Sequence, residues 1–262
     1  MVGPIAGYNA GMNNPLRSIM WFRRDLRLTD NPALLAAGAD GTEVVPVFIV
    51  DPTFAGSGAP RLAYLHDALR SLDASIREHG GGGLQIRHGD PTAEIPRLAA
   101  EVGADTVFVA RDYAPHGRRR DAAVKAALDG ASRRLVGVGS PYAVPPGNVT
   151  KDDGTPYAVF TPFSKRWRAH GWEEPIARSS DPDWIDVRSD PVPSPPELGY
   201  DLPDASEHAV LEGWRGFRDG GLADYDSQRD QPAVDGTSRL SPFLRFGVVH
   251  PRQLLAETAG EE

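Results

Sequence analysis

Two stretches of this 262-residue chain hold the side chains best suited to chemistry. The first runs Tyr225-Asp226-Ser227-Gln228-Arg229-Asp230-Gln231-Pro232, and Gly236-Thr237-Ser238-Arg239-Leu240-Ser241-Pro242-Phe243-Leu244-Arg245-Phe246-Gly247 follows it. Thr237, Ser238 and Ser241 fall at a predicted helix start, where unpaired amides and the helix dipole both favour an anion such as phosphate. A plain N-cap within a serine-rich turn is the other reading of the same residues. The second stretch, Trp21 to Pro32, packs Arg23, Arg24 and Arg27 with Asp25 and Asp30 directly after a predicted strand. In a parallel sheet that is a ligand position. Alternatively it is a solvated loop whose arginines pair with Asp25 and Asp30.

Other candidates are weaker. Seven basic side chains stand against three acids between Arg111 and Arg134, which fits either an anionic partner or a helix with a charged outer face. Gly80 to Gly83 precedes a strand and is followed by neither a dinucleotide fingerprint nor a P-loop lysine, so it reads as a turn. The seven histidines lack paired ligand spacing and read as surface or helix-end residues, with no metal site implied.

The elements that position these residues alternate. Ser18 to Phe22, Val44 to Val50, Leu84 to His88, Thr106 to Ala110 and Arg134 to Val138 are short apolar runs typical of buried parallel strands. Between them, Leu62, Leu65, Leu69, Leu72 and Ile76 make one apolar stripe, predicting a helix over Arg61 to His79. Asp30 or Asn31 before Pro32, and Asp90 before Pro91, predict two further helix starts. The fold class is therefore α/β, a doubly wound five-stranded parallel sheet whose ligand crevice lies at the carboxyl ends of the strands. Seven prolines between Pro175 and Asp204 exclude a long helix or a central strand there. Helical patterns resume over Ala205 to Phe217 and Ser241 to Ala259.

Composition excludes several classes. Forty per cent hydrophobic and 24% charged residues fit a globular chain, and no apolar run approaches the ~20 residues of a membrane helix. Zero cysteines remove disulfides, thiolate zinc sites and cysteine nucleophiles. Residues 1–16, rich in Gly, Asn and Pro, predict a disordered leader with no readable secretion signal, which makes cytoplasm the default compartment. The net charge of -8 disfavours indiscriminate polyanion binding.

Taken in order, Trp21 to Leu34, Val45 to Pro52 (VPVFIVDP), Tyr157 to Trp167 (YAVFTPFSKRW) and Tyr225 to Arg252 with its DGTSRLSPFLRFG core resemble the DNA photolyase and cryptochrome family. The resemblance implies an α/β antenna domain over 17–145, an interdomain connector over 146–204 and an incomplete helical FAD-binding domain over 205–262. It further implies light-dependent repair of cyclobutane pyrimidine dimers by electron transfer from reduced FAD. Tyr225, Thr237, Ser238, Arg239, Leu240 and Ser241 would then hold the phosphate side of FAD, and Arg229 would contact the lesion in UV-damaged DNA. Arg24 and Asp112 would line the antenna site. Asp112 stands where deazaflavin types carry an aspartate, and the folate binders' glutamate near position 114 is missing, so the resemblance favours a deazaflavin antenna over a folate.

Family members run further, and their remaining FAD and lesion contacts would lie past Glu262. The chain alone is accordingly expected to be inactive, monomeric and weak on DNA, since residues 211–262 carry six basic and nine acidic side chains. A cryptochrome-like blue-light photoreceptor and a nucleotide-binding α/β module without photochemistry are the alternatives.

Overall fold

A computed structural model describes residues 16–39, 42–177 and 181–258. The leader expected over 1–16 lies outside them apart from Leu16.

Five parallel strands, β1 (Arg17–Phe22), β2 (Glu43–Val50), β3 (Gln85–His88), β4 (Thr106–Val109) and β5 (Arg134–Gly137), lie in the order β3-β2-β1-β4-β5. The chain winds outward from β1 to β3, then returns to the other side of β1 for β4, so the switch point falls between β1 and β4. Crossovers are made by α1 (Pro32–Ala37), α2 (Ala59–Glu78), α3 (Pro91–Val102) and α4 (Pro115–Asp129). Their starts follow from local chemistry. The Asn31 side chain accepts from the Leu34 amide at 3.2 Å, Asp90 accepts from Thr92 at 2.8 Å, and a proline follows each cap.

Side chains alternate across β1. Ile19 and Trp21 enter one core with Ile95, Leu98, Val124 and Leu128 of α3 and α4. Met20 and Phe22 enter the other, against Leu69, Leu72 and Ile76 of α2. That second core also contains Val210 and Trp214 of α6 (Glu207–Gly220), Phe243 of α8 (Ser241–Phe246), Val248, and Leu254 of α9 (Pro251–Thr258). The helices α6, α8 and α9 thus share the sheet's own hydrophobic cluster, each large side chain contributing about 1.5–3 kcal/mol by burial.

Residues 146–204, expected as a connector, carry two elements: α5 (Phe160–His170) and a short strand β6 (Asp183–Trp184). β6 pairs in parallel with the start of β2 and makes the sheet six-stranded where five were expected. Asp190 then bridges to Ile86 on β3. Pro182 and Pro191 bracket this run without interrupting it, as prolines at a sheet edge can.

The helical pattern over Ser241 to Ala259 breaks into α8 and α9 because Gly247 adopts φ +70° and returns the chain to β1. A Cβ on Gly247 would lie 1.9 Å from the Arg24 carbonyl oxygen. Gly247→Ala should therefore cost about 3 kcal/mol or more of folding stability in a urea titration; an unchanged midpoint would show that α8 does not rest on this backbone.

Candidate functional site

The tract after β1 is not a solvated loop. Asp25, Leu26, Arg27, Leu28, Asp30 and Asn31 are all buried. The expected arginine partners also differ. Arg27 donates to the carbonyl oxygens of Gly247 (3.0 Å) and Asp30 (2.8 Å), while Arg23 pairs with Asp121. The tract is covered by the later helices: Leu26 N–H donates to Phe246 O at 3.2 Å, and the Glu207 carboxylate accepts from the amides of Leu28 (2.6 Å) and Thr29 (3.1 Å).

Asp30 is the centre of this contact. Its Oδ1 accepts from Arg252 Nη2 at 2.6 Å and from the Ile176 amide at 2.9 Å, and its Oδ2 lies 3.1 Å from His250 Nδ1. Burial opposes its charge, but the hydrogen bonds from His250 and Ile176 and the charges of His250 and Arg252 prevail and hold its pKa below the ordinary carboxylate value. His250 sits at a helix end, as expected, but is 1% exposed and so is no surface residue. Its Nε2–H donates to Ser140 O at 2.8 Å, and its Nδ1 faces both Asp30 Oδ2 at 3.1 Å and the Arg252 amide at 3.2 Å. Burial lowers the pKa of the ring below its usual value, opposed by the hydrogen bond with Asp30 and reinforced by the charge of Arg27. Asp25 has the opposite sense, its carboxyl being pushed up by burial.

A cleft of about 220 Å³ opens at the carboxyl ends of β1, β2 and β4, the switch point of the sheet. Arg24 and Asp112, singled out from the sequence, both line it. Asp112 accepts from the Ala114 amide at 3.0 Å and faces Arg120 at 3.4 Å. Trp21 forms its floor, with the guanidinium carbons of Arg23 and Arg120 at 4.8 and 5.2 Å from the ring centroid. Burial lowers the pKa of Arg23, with the nearby charge of Arg120 second. Aromatic walls come from Phe48, Phe54 and Phe246. A larger groove of about 650 Å³ between α5 and α9 is lined without a single charged side chain.

The other predicted residues share a surface. Tyr225, on the short helix α7 (Tyr225–Gln228), meets Phe217 edge-on at 6.3 Å, and Arg229 lies over its ring at 5.8 Å while pairing with Asp226 at 3.2 Å. Gly236 packs so closely on Gln228 that a Cβ would lie 2.3 Å from it, which joins the two halves of the motif. Arg239 adopts φ +51° and pairs with Asp235 at 2.9 Å. Thr237 and Ser241 are exposed, and Ser238 and Leu240 half-buried. Ser241 opens α8 as expected, yet the helix has no side-chain cap, so the plain N-cap reading does not hold. Among the described residues no group of His, Asp and Glu is arranged to hold a metal ion, and no helix is long and apolar enough to cross a membrane.

Sequence reasoning missed Arg61 and Arg245 in the cleft and the cluster of Asp30, His250 and Arg252. Arg245 lies inside the quoted FLRFG run, so its signal was present. Asp30 and Arg252 are 222 positions apart, and no local pattern announces such a pair.

Fold and site together define a doubly wound α/β module with a basic cleft at its switch point and a helical segment packed over its first loop. Residues 18–182 match the family model for DNA photolyase, and the chain belongs to that family. It is 39% identical over 249 residues to the deoxyribodipyrimidine photo-lyase of Streptomyces griseus, covering 91% of this chain and 54% of that protein. The Synechococcus sp. deoxyribodipyrimidine photo-lyase is 35% identical over 254 residues, covering 90% of this chain and 52% of the relative. The crystal structure of a bacterial class III photolyase from Agrobacterium tumefaciens superposes with a TM-score of 0.85 at 32% identity, covering 97% of this chain and 55% of that one. The chain spans about half the length of the curated photo-lyases it matches.

Arg252→Met leaves Asp30 charged and unpaired and should cost about 3–5 kcal/mol by urea denaturation, with much of it restored when Asp30→Asn is added. Acid acts through the same cluster. A histidine whose folded pKa is depressed stabilises the fold above its unfolded value of about 6.5 and loses that contribution as pH falls below it. Asp30 follows the same sense in a more acidic window. The melting temperature should thus drop more between pH 7 and pH 5 in the wild type than in His250→Gln, Asp25 acting equally in both; identical slopes would remove His250 from the account.

Proposed function

We propose that this chain is the antenna and FAD-phosphate portion of a light-driven DNA repair enzyme acting in the cytoplasm on cyclobutane pyrimidine dimers. The observation that carries the reading is the cleft at the strand ends, which unites Arg24 and Asp112 in a member of the photolyase family. It is the antenna site, and an isoalloxazine-like deazaflavin suits its flat aromatic walls and Asp112 better than a folate.

The residues of the second surface fit FAD phosphates. The hydroxyls of Thr237, Ser238 and Ser241 have no hydrogen-bond partner among the described residues, and the first amides of α8 lack a side-chain cap. Tyr225, Arg239 and Leu240 border the same surface and would hold the neighbouring chain. Reduced FAD, when bound, supplies an electron to the dimer and receives it back after the ring splits. The chain's own part is to orient phosphates by hydroxyl and amide donors, and Arg229 presents an exposed guanidinium toward damaged DNA. Alone the chain is a monomer with little affinity for DNA, in keeping with the acidic excess of residues 211–262.

The test joins the chain in frame to the remaining half of the Streptomyces griseus relative. The fusion should retain FAD and repair dimer-containing DNA under blue light, whereas the chain alone should not. Thr237→Ala with Ser241→Ala should weaken FAD retention about tenfold or more. A fusion that holds FAD yet repairs nothing, or repair by the chain alone, would contradict the reading.

A further inference from the structure

One helix of this chain has no core to rest on. α5 carries Phe160, Phe163 and Trp167 at positions i, i+3 and i+7, a single aromatic stripe, yet none of its 11 residues is buried. Phe160 is 76% exposed and the preceding Val159 62% exposed. The rings of this region meet one another and belong to neither hydrophobic core: Tyr157 lies edge-on to Phe163 at 6.3 Å, and Trp167 stacks on Trp172 at 4.9 Å. A helix of this length is marginal in water by itself and draws its stability from packing of its apolar face.

The groove of about 650 Å³ lies beside the stripe. Phe163 and Trp167 line it from α5, Leu254 and Leu255 from α9, and Tyr142 from the segment between them and the sheet. With no charged side chain in its lining it suits an apolar occupant, and an exposed apolar surface of this extent marks an interaction face.

Length and position indicate what covers it. The chain matches 54% of the Streptomyces griseus photo-lyase and 55% of the Agrobacterium tumefaciens structure, so nearly half of the family fold lies outside it. α9 is the last helix among the described residues, and two of its leucines line the groove, so the polypeptide that follows it in the longer relatives enters at this face. A chain of the same span recurs elsewhere: a 31.6 kDa protein of Synechococcus sp. (strain PCC 6716) is 34% identical over 256 residues, covering 94% of this chain and 89% of that one.

We propose that the groove between α5 and α9, with its rim at Val159 and Phe160, is the docking face for an amphipathic helix of the other half of the photolyase fold, and that this half joins non-covalently as a separate polypeptide. The docking face rests on family membership and on neither the FAD nor the antenna reading. An apolar helix stripe laid against Trp167 and Leu255 is the helix-in-groove mode of recognition, and it gives α5 the packing it lacks.

The test places a protease site at the junction of the in-frame fusion with the remaining half of the Streptomyces griseus relative. After cleavage the two halves should elute together in gel filtration, and amide exchange across α5 should slow at least tenfold relative to the chain alone. Phe160→Glu combined with Trp167→Glu should weaken the association tenfold or more on dilution, while the urea midpoint of the chain alone stays unchanged because neither residue is buried. Phe160→Leu should retain the association. Without its partner the chain should bind the hydrophobic dye anilinonaphthalene sulfonate, and the double variant should bind it less. Halves that part on cleavage, halves that stay together while α5 exchanges as in the free chain, or a free chain that binds no dye would each overturn the docking face. So would a dimer of the chain alone that the double variant abolishes, which would assign the groove to a second copy. Halves that remain together without holding FAD would uphold the docking face and remove the FAD reading instead.

Discussion

The structure depends on a charge buried where the first strand ends. Asp30 is 2% exposed, and a carboxylate in that position is tolerable only because Arg252, the Ile176 amide and His250 surround it. Those partners come from segments at least 146 residues further along the chain than Asp30. The sheet therefore cannot present its first loop in this conformation unless the late helices are docked, and the helices have no core of their own apart from it.

That dependence shapes the cleft. Glu207 caps the backbone of Leu28 and Thr29, Gly247 lies flat on Arg24 and Asp25, and α8 is thereby brought to the carboxyl ends of β1 and β2. Phe246 and Arg245 become a wall of a cavity whose floor, Trp21, belongs to the sheet. The pairing of Arg23 and Arg120 with Asp121 fixes two cations over the indole. One helix, from Ser241 to Phe246, thus touches both the cleft and the surface of unpaired hydroxyls. The architecture joins the cleft and the hydroxyl surface through this one helix.

Much of the sheet could be read from the chain because its signals are local. Val44 to Val50 is continuous apolar sequence, and the strand spans Glu43–Val50; Asn31 and Asp90 cap helices because a proline follows each. Arg24 was placed by its position after a strand end, a rule of topology that needs no distant partner, and Asp112 by the resemblance to deazaflavin-type family members. Long-range chemistry was hidden. The charges of Trp21 to Pro32 look like surface until Arg252 and Glu207 cover them, and His250 looks ordinary until Ser140 accepts its proton-bearing nitrogen. β6 is two residues between prolines and pairs only because β2 extends beyond β3. Arg61 sits exposed on a helix, where nothing local distinguishes it from any solvated arginine.

The central claim is that sheet and late helices form one cooperative unit joined through residues 24–31. Native-state hydrogen exchange reads this directly. The amides of Leu26, Leu28 and Thr29, which bond to Phe246 and Glu207, should open only with global unfolding and show the same protection free energy as Ile19 and Val45 in the sheet. Exchange of those amides, and of helix α6, by a lower-energy opening that leaves the sheet protected would show the helices to be a separable layer and contradict the account.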